Sequence, residues 1–201
     1  MAGTTDLTNL LVAIGTLDHH TAVDLLTATP SLATARLERR DEFFLAERLA
    51  QVYEGDTALH AAGFSYDPDM ARDLVTRGAD IRARNRRGAE PLHAAVIGAP
   101  GSAAWNPTRQ REVIRYLIEA GADPNAPAAG GVTPLHRAVR NQCSAAVEAL
   151  LRAGADPGLQ NDSGSTASDL AHWTTGRGGT GSAEAKAEQR IILELLQINP
   201  A

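Results

Sequence analysis

The chain has 201 residues, 43% hydrophobic yet only 4% aromatic, with a formal net charge of −5. That mildly acidic balance argues against general affinity for nucleic-acid phosphates, and the single Cys143 excludes an internal disulfide framework and any CxxC metal site. An apolar complement made mostly of Ala, Leu and Val suits closely packed short helices better than a sandwich of β-branched strands.

The opening stretch "MAGTTDLTNLLVAIGTLDHH" has no basic n-region and only a short apolar run, so neither a secretory signal nor a membrane span is expected. A soluble, reducing, cytoplasmic setting is the simplest expectation. "TNLLVAIGTLD" and "HTAVDLLTATPSLATA" read as a helix pair over 5–36. "RLERRDEFFLAERLAQVY" follows and predicts an extra amphipathic helix over 37–51, with Phe43, Phe44, Leu49 and Val52 as packing residues.

From there the chain repeats itself. "GDTALHAA" begins at Gly55, "GAEPLHAA" at Gly88, "GVTPLHRA" at Gly131, and a worn copy, "GSTASDLA", at Gly164. Leu59, Leu92, Leu135 and Ser168 are separated by 33, 43 and 33 residues, so the unit is 33 residues with ten inserted once. Thr133 can cap a helix start and Pro134 suits the first helical position, where no backbone donor is needed. Leu135, Ala138 and Val139 then share one helical face. A second helix follows in each copy, over Met70–Thr76, Glu112–Glu119 and Ala145–Arg152. Each ends in the phrase Gly-Ala-Asp at Gly78, Gly121 and Gly154, where glycine favours a left-handed cap and the aspartate leads into a turn.

The period, the TPLH-like start and the GAD-like end together resemble the ankyrin repeat over residues 52 to 197. The resemblance implies an all-α solenoid of stacked helix pairs joined by β-turns, in one domain. Its parts would be a degenerate first repeat at 5–36, the inserted helix at 37–51, repeats at 52–84, 85–127 and 128–160, and a capping repeat at 161–197. It also implies that His60, His93 and His136 bond to turn backbone rather than to metal. With no HxxxH or CxxC spacing, no metal or cofactor is expected.

In ankyrin-like domains the turn tips and the first helices form a concave binding face. By phase, Tyr53, Asp56, Phe64, Arg84, Arg86, Arg87, Arg140 and Trp173 fall there, and arginine and aromatic residues are common interface anchors. The run "IRARNRRG" adds an arginine-rich turn suited to an acidic protein partner. Two insertions, 98–111 and 175–187, interrupt repeats between their helices, and Trp105 in the first must find a surface on its own fold or on a partner. In the second, Gly176, Arg177, Gly178 and Gly179 could form an anion nest, although the P-loop lysine and preceding strand are missing. Cys143 follows His136 too far along the helix for a catalytic pair, roughly 10 Å at 1.5 Å per residue. The expectation is a non-enzymatic protein-binding module. Two alternatives stand beside it: a small-molecule binder or enzyme with a loop-covered pocket, and an immunity-type inhibitor of a neighbouring gene product. The Arg-over-Lys, Ala-rich bias suggests GC-rich, bacterial coding.

Overall fold

The computed structural model of the chain describes residues 4–48, 50–173 and 182–198. Gly78, Gly121 and Gly154 have φ values of 92°, 109° and 87°, in the left-handed region where a side chain is strained. In each copy the glycine N–H bonds the carbonyl three residues back (Val75, Ile118 and Leu151), and the next alanine N–H bonds the carbonyl five back (Leu74, Leu117 and Leu150). These paired bonds satisfy carbonyls that a helix end would otherwise orphan. The aspartate that follows then bends the chain, as Oδ1 of Asp80, Asp123 and Asp156 accepts the N–H of Arg82, Asn125 and Gly158. The repeated phrase is a helix stop followed by a turn.

The resulting helices fall in pairs: α1 (Thr4–Gly15) with α2 (His19–Ala28), α3 (Ala58–Phe64) with α4 (Pro68–Thr76), and α5 (Pro91–Ala95) with α6 (Pro107–Glu119). Then come α7 (Pro134–Arg140) with α8 (Ser144–Arg152), and α9 (Ala167–Trp173) with α10 (Ala183–Ile198). One row of first helices packs α1 on α3 on α5 on α7 on α9, and a row of second helices packs α4 on α6 on α8 on α10. This is the expected all-α stack of helix pairs. Leu59, Leu92 and Leu135 are at most 1% exposed, and Ala61, Ala62, Ala95 and Ala138 are buried at the helix crossings. The approach of α3 to α5 is so close that a Cβ on Gly63 would stand 2.8 Å from the Pro91 carbonyl oxygen. Among the described residues no helix is long and apolar enough to cross a membrane.

The extra helix expected over 37–51 does not form. In its place an antiparallel hairpin pairs β1 (Phe43–Leu45) with β2 (Ala50–Val52), flanked by short 3₁₀ turns. The reason is closure. Leu37 N–H bonds the Asp56 carbonyl at 2.9 Å and Gly55 N–H bonds the Leu37 carbonyl at 2.8 Å, so the segment must return to where it began. A helix over 37–51 would carry the chain about 21 Å away at about 1.5 Å per residue, and the four steps on to Gly55 recover only about 14 Å. The tertiary pinning therefore overrides the local helical pattern. Leu45, Ala50 and Val52 face the core, Phe43 packs partly against it, and Phe44 points outward. Leu49, expected to pack, lies outside the described residues.

Candidate functional site

The repeat histidines are spent on the stack. The N–H groups of Thr57, Glu90 and Thr133 reach Nδ1 of His60, His93 and His136 at 3.2–3.3 Å. That leaves Nε2 protonated, to donate to the carbonyls of Ala89, Val132 and Ser165 in the next turn at 3.0–3.2 Å. Each ring thus ties one repeat to the next. Burial, with Arg137 nearby, drives the pKa of His93 down to about 3, and burial also lowers that of His136. In both cases burial favours the neutral ring that these bonds require.

The arginine-rich turn is largely self-satisfied. Arg82 donates through Nε and Nη2 to the Gly121 carbonyl at 3.1 and 3.0 Å. Arg84 Nε meets Oε1 of Glu90 at 3.1 Å. Arg86 forms a two-pronged pair with Glu42 of the hairpin, and Arg86 as donor first, with the Glu54 N–H second, holds that carboxyl down at about 2. Three of the four charges in the run are therefore taken up inside the chain. Arg87 is the exception. It stands 5.9 Å from the centre of the Tyr53 ring and meets no carboxylate among the described residues.

Arg87 opens onto a groove of about 460 Å³ on the inner face, between the hairpin and the ends of α3, α5 and α7. Of the residues expected on the concave face, the groove collects Tyr53, Asp56, Phe64, Arg87 and Arg140. Asp56 and Phe64 are only 3% and 5% exposed, so they serve as floor rather than as free anchors. Asp56 is held as acceptor by the Tyr53 N–H and by Asn85 Nδ2, both at 2.7 Å. Two further side chains line the groove: Phe44, expected to pack in the core but 57% exposed because the hairpin turns it outward, and Arg137, which the repeat phase does not single out. The signal for Arg137 was present, because the residue after the histidine is alanine at 61 and 94 but arginine at 137. Burial first, then Arg140 and Arg87, lower the Arg137 pKa, against the opposing pull of Tyr53 and Asp56.

Trp105 finds its surface on its own fold. Its indole Nε1 donates to Oε1 of Gln110 at 3.0 Å, and a Cβ on Gly98 would meet both Trp105 and Cys143. Gln110 is fully buried and donates to the carbonyls of Ala95 and Ile97. Arg109 reaches back to the Tyr66 carbonyl and to Asp67. The first insertion is thus pinned to the stack, and its last residues belong to α6. Beneath it Cys143 is sealed from solvent, and burial pushes its thiol up to about 12. That favours the neutral packing form over a nucleophile. Trp173 ends α9, and its side chain lies outside what is described, as do Gly176, Arg177, Gly178 and Gly179.

A family model described as ankyrin repeats, in three copies, matches residues 59–161. Comparison with curated proteins gave no match.

Proposed function

We propose, from the premise that this chain belongs to the ankyrin-repeat family, that it is a recognition module whose inner groove grips a protein partner presenting an acidic surface. Ankyrin repeats are generally protein–protein interaction modules. The observation that carries the reading to this groove is its lining. Exposed Phe44, half-buried Tyr53 and three arginines that meet no carboxylate in ion-pair contact among the described residues share one concavity on a helical floor. Aromatic and arginine side chains offer large contact area and directed donors to a docking segment. The docked first insertion supports the neighbouring turn rather than acting as a free arm.

A photo-crosslinking residue at Asn141 in the groove, compared with one at Arg115 on the outer helices, tests this in lysate of cells that express the protein. A discrete protein adduct from position 141 and none from 115 is the expected result. An identical adduct from both positions, or none from 141, would place recognition elsewhere.

A further inference from the structure

When the first helices are aligned on their histidines, the next residue is Ala61, Ala94 and Arg137. Ala61 and Ala94 are buried at the helix crossings, so Arg137 sends a long cation where its neighbours carry a methyl. Its Nη1 donates to the His93 carbonyl at 3.2 Å, which leaves the rest of its donors aimed elsewhere. Arg140 lies one turn on and, among the described residues, makes no side-chain hydrogen bond or ion pair. Arg87 enters from the preceding turn with its guanidinium beside the Tyr53 ring.

All three line the one groove, and the single carboxylate among its lining residues is Asp56. Both oxygens of that carboxylate are already engaged, by Asn85 and by the Tyr53 N–H. Three guanidiniums therefore face one committed carboxylate. Gathering like charges in a partly desolvated concavity is unfavourable until an anion enters. The surplus is two positive charges, which one side-chain carboxylate only half compensates. A phosphate monoester carries about −1.5 to −2 and three terminal oxygens. Its tetrahedral head can take several planar, forked donors, and this groove is lined by one arginine from a turn and by two that stand one helical turn apart on α7.

We infer that Arg87, Arg137 and Arg140 form a binding site for a phosphate monoester dianion, with Tyr53 and Phe44 beside its substituent. This rests on the proposed function only in taking the inner face as the recognition face. The monoester can belong to a small molecule or to a phosphorylated segment of the partner, because the head group is the same.

The test titrates the full chain, by calorimetry and by NMR of arginine Nε–H signals, with phenyl phosphate, with benzoate, and with a short neutral peptide bearing one phosphoserine. Phenyl phosphate should bind and shift the signals of Arg87, Arg137 and Arg140, and should bind at least about tenfold more tightly than benzoate. Arg137→Met and, separately, Arg140→Gln should each weaken it by about tenfold or more, the loss expected for one charge-assisted contact. Arg115→Gln on the outer helices should leave it unchanged. Affinity should fall as pH drops below about 6, where the phosphate loses its second charge. Tighter binding of the phosphopeptide than of phenyl phosphate assigns the site to a protein segment, and the reverse order assigns it to a small molecule. Absent binding at millimolar phenyl phosphate, benzoate binding equally well, or both groove variants binding like wild type would each overturn the inference. Repeating the Asn141 crosslink after phosphatase treatment separates the two ideas. An adduct that survives while phenyl phosphate fails to bind leaves the module reading standing and removes the phosphate site.

Discussion

Two groups of three arginines, one from a single turn and one shared between that turn and α7, are used in opposite ways. Arg82, Arg84 and Arg86 each reach a partner inside the chain: a helix-end carbonyl, a buried carboxylate and a hairpin carboxylate. Arg87, Arg137 and Arg140 share a groove and meet no carboxylate in ion-pair contact among the described residues. Residue type and even sequence adjacency fail to separate them, since Arg86 and Arg87 are neighbours. What separates them is how much the fold satisfies. Arg82 spends two donors on one carbonyl and Arg84 and Arg86 meet carboxylates, whereas Arg137 keeps a single bond to the His93 carbonyl and, among the described residues, Arg87 and Arg140 have no side-chain hydrogen bond. The first group pays back its charge to the stack; the second holds charge in reserve for something that arrives from outside.

Breaking the first group should therefore cost stability, and Arg84→Ala should cost the most. It would strand Glu90, whose side chain is 4% exposed and whose Oε2 has no hydrogen-bond partner. Removing one member of a fully buried pair costs about 3–5 kcal/mol. Because Arg84 is 51% exposed, water can partly take its place, and about 2 kcal/mol is expected. Urea denaturation measures it. An unchanged midpoint would show that this arginine belongs with the second group.

Acid should loosen the stack in a window set by His93, which links the two groups because Arg137 bonds its carbonyl. Its folded pKa of about 3 lies below the ordinary 6.5, so the unfolded chain binds the extra proton between those values. Stability is then full above about pH 6.5 and declines by about 1.4 kcal/mol per pH unit as pH falls toward 3. The interval from 6.5 to 5 is where an unfolded histidine takes up its proton, so the slope there reads His93. Arg137→Met removes a cation that helps depress this pKa, so its acid slope should end at a higher pH than that of wild type. Denaturant midpoints across this range provide the check.

Arg86→Ala is a smaller perturbation, since both members of its pair have access to solvent. Little change in melting is expected. The readout is Glu42 itself, whose carboxyl titrates near 2 while Arg86 is present and should rise toward 4.5 without it, followed by carboxyl-carbon NMR. A carboxyl that stays near 2 would assign the depression to the Glu54 N–H instead.

The difference between the groups also marks how much of this protein can be read from its sequence. The repeat period, the glycine stops, the proline starts and the structural histidines are local patterns, and each appears where its spacing put it. The hairpin at 43–52 was hidden, because "EFFLAERLAQV" has a helical pattern and only the Leu37 to Asp56 bonds require the chain to double back. The arginine-rich turn looks like the functional cluster because its charges are adjacent in sequence, yet two of them are neutralised, one by Glu90 at the start of the next helix and one by Glu42, which the fold brings in from 44 residues away. Arg137 is visible only as a break in the repeat, an arginine at a position that is alanine in the other two copies that carry the histidine.

The finest test lies in that break. Arg137→Met exchanges a partly buried cation, with no ion-pair partner among the described residues, for an apolar side chain of similar reach. The variant loses the bond to the His93 carbonyl, worth about 1 kcal/mol. It also loses the desolvation of the guanidinium and its repulsion from Arg140 and Arg87, costs of similar size and opposite sign. The expected change in unfolding free energy is therefore within about 1 kcal/mol of zero, on either side, by guanidinium denaturation. A loss beyond about 2 kcal/mol would mean that Arg137 is held for the stack and belongs with Arg84. A change near zero, in a variant that no longer binds phenyl phosphate, would mean that the fold carries this charge at no benefit to itself. A cation kept under those terms is accounted for by the anion that completes it.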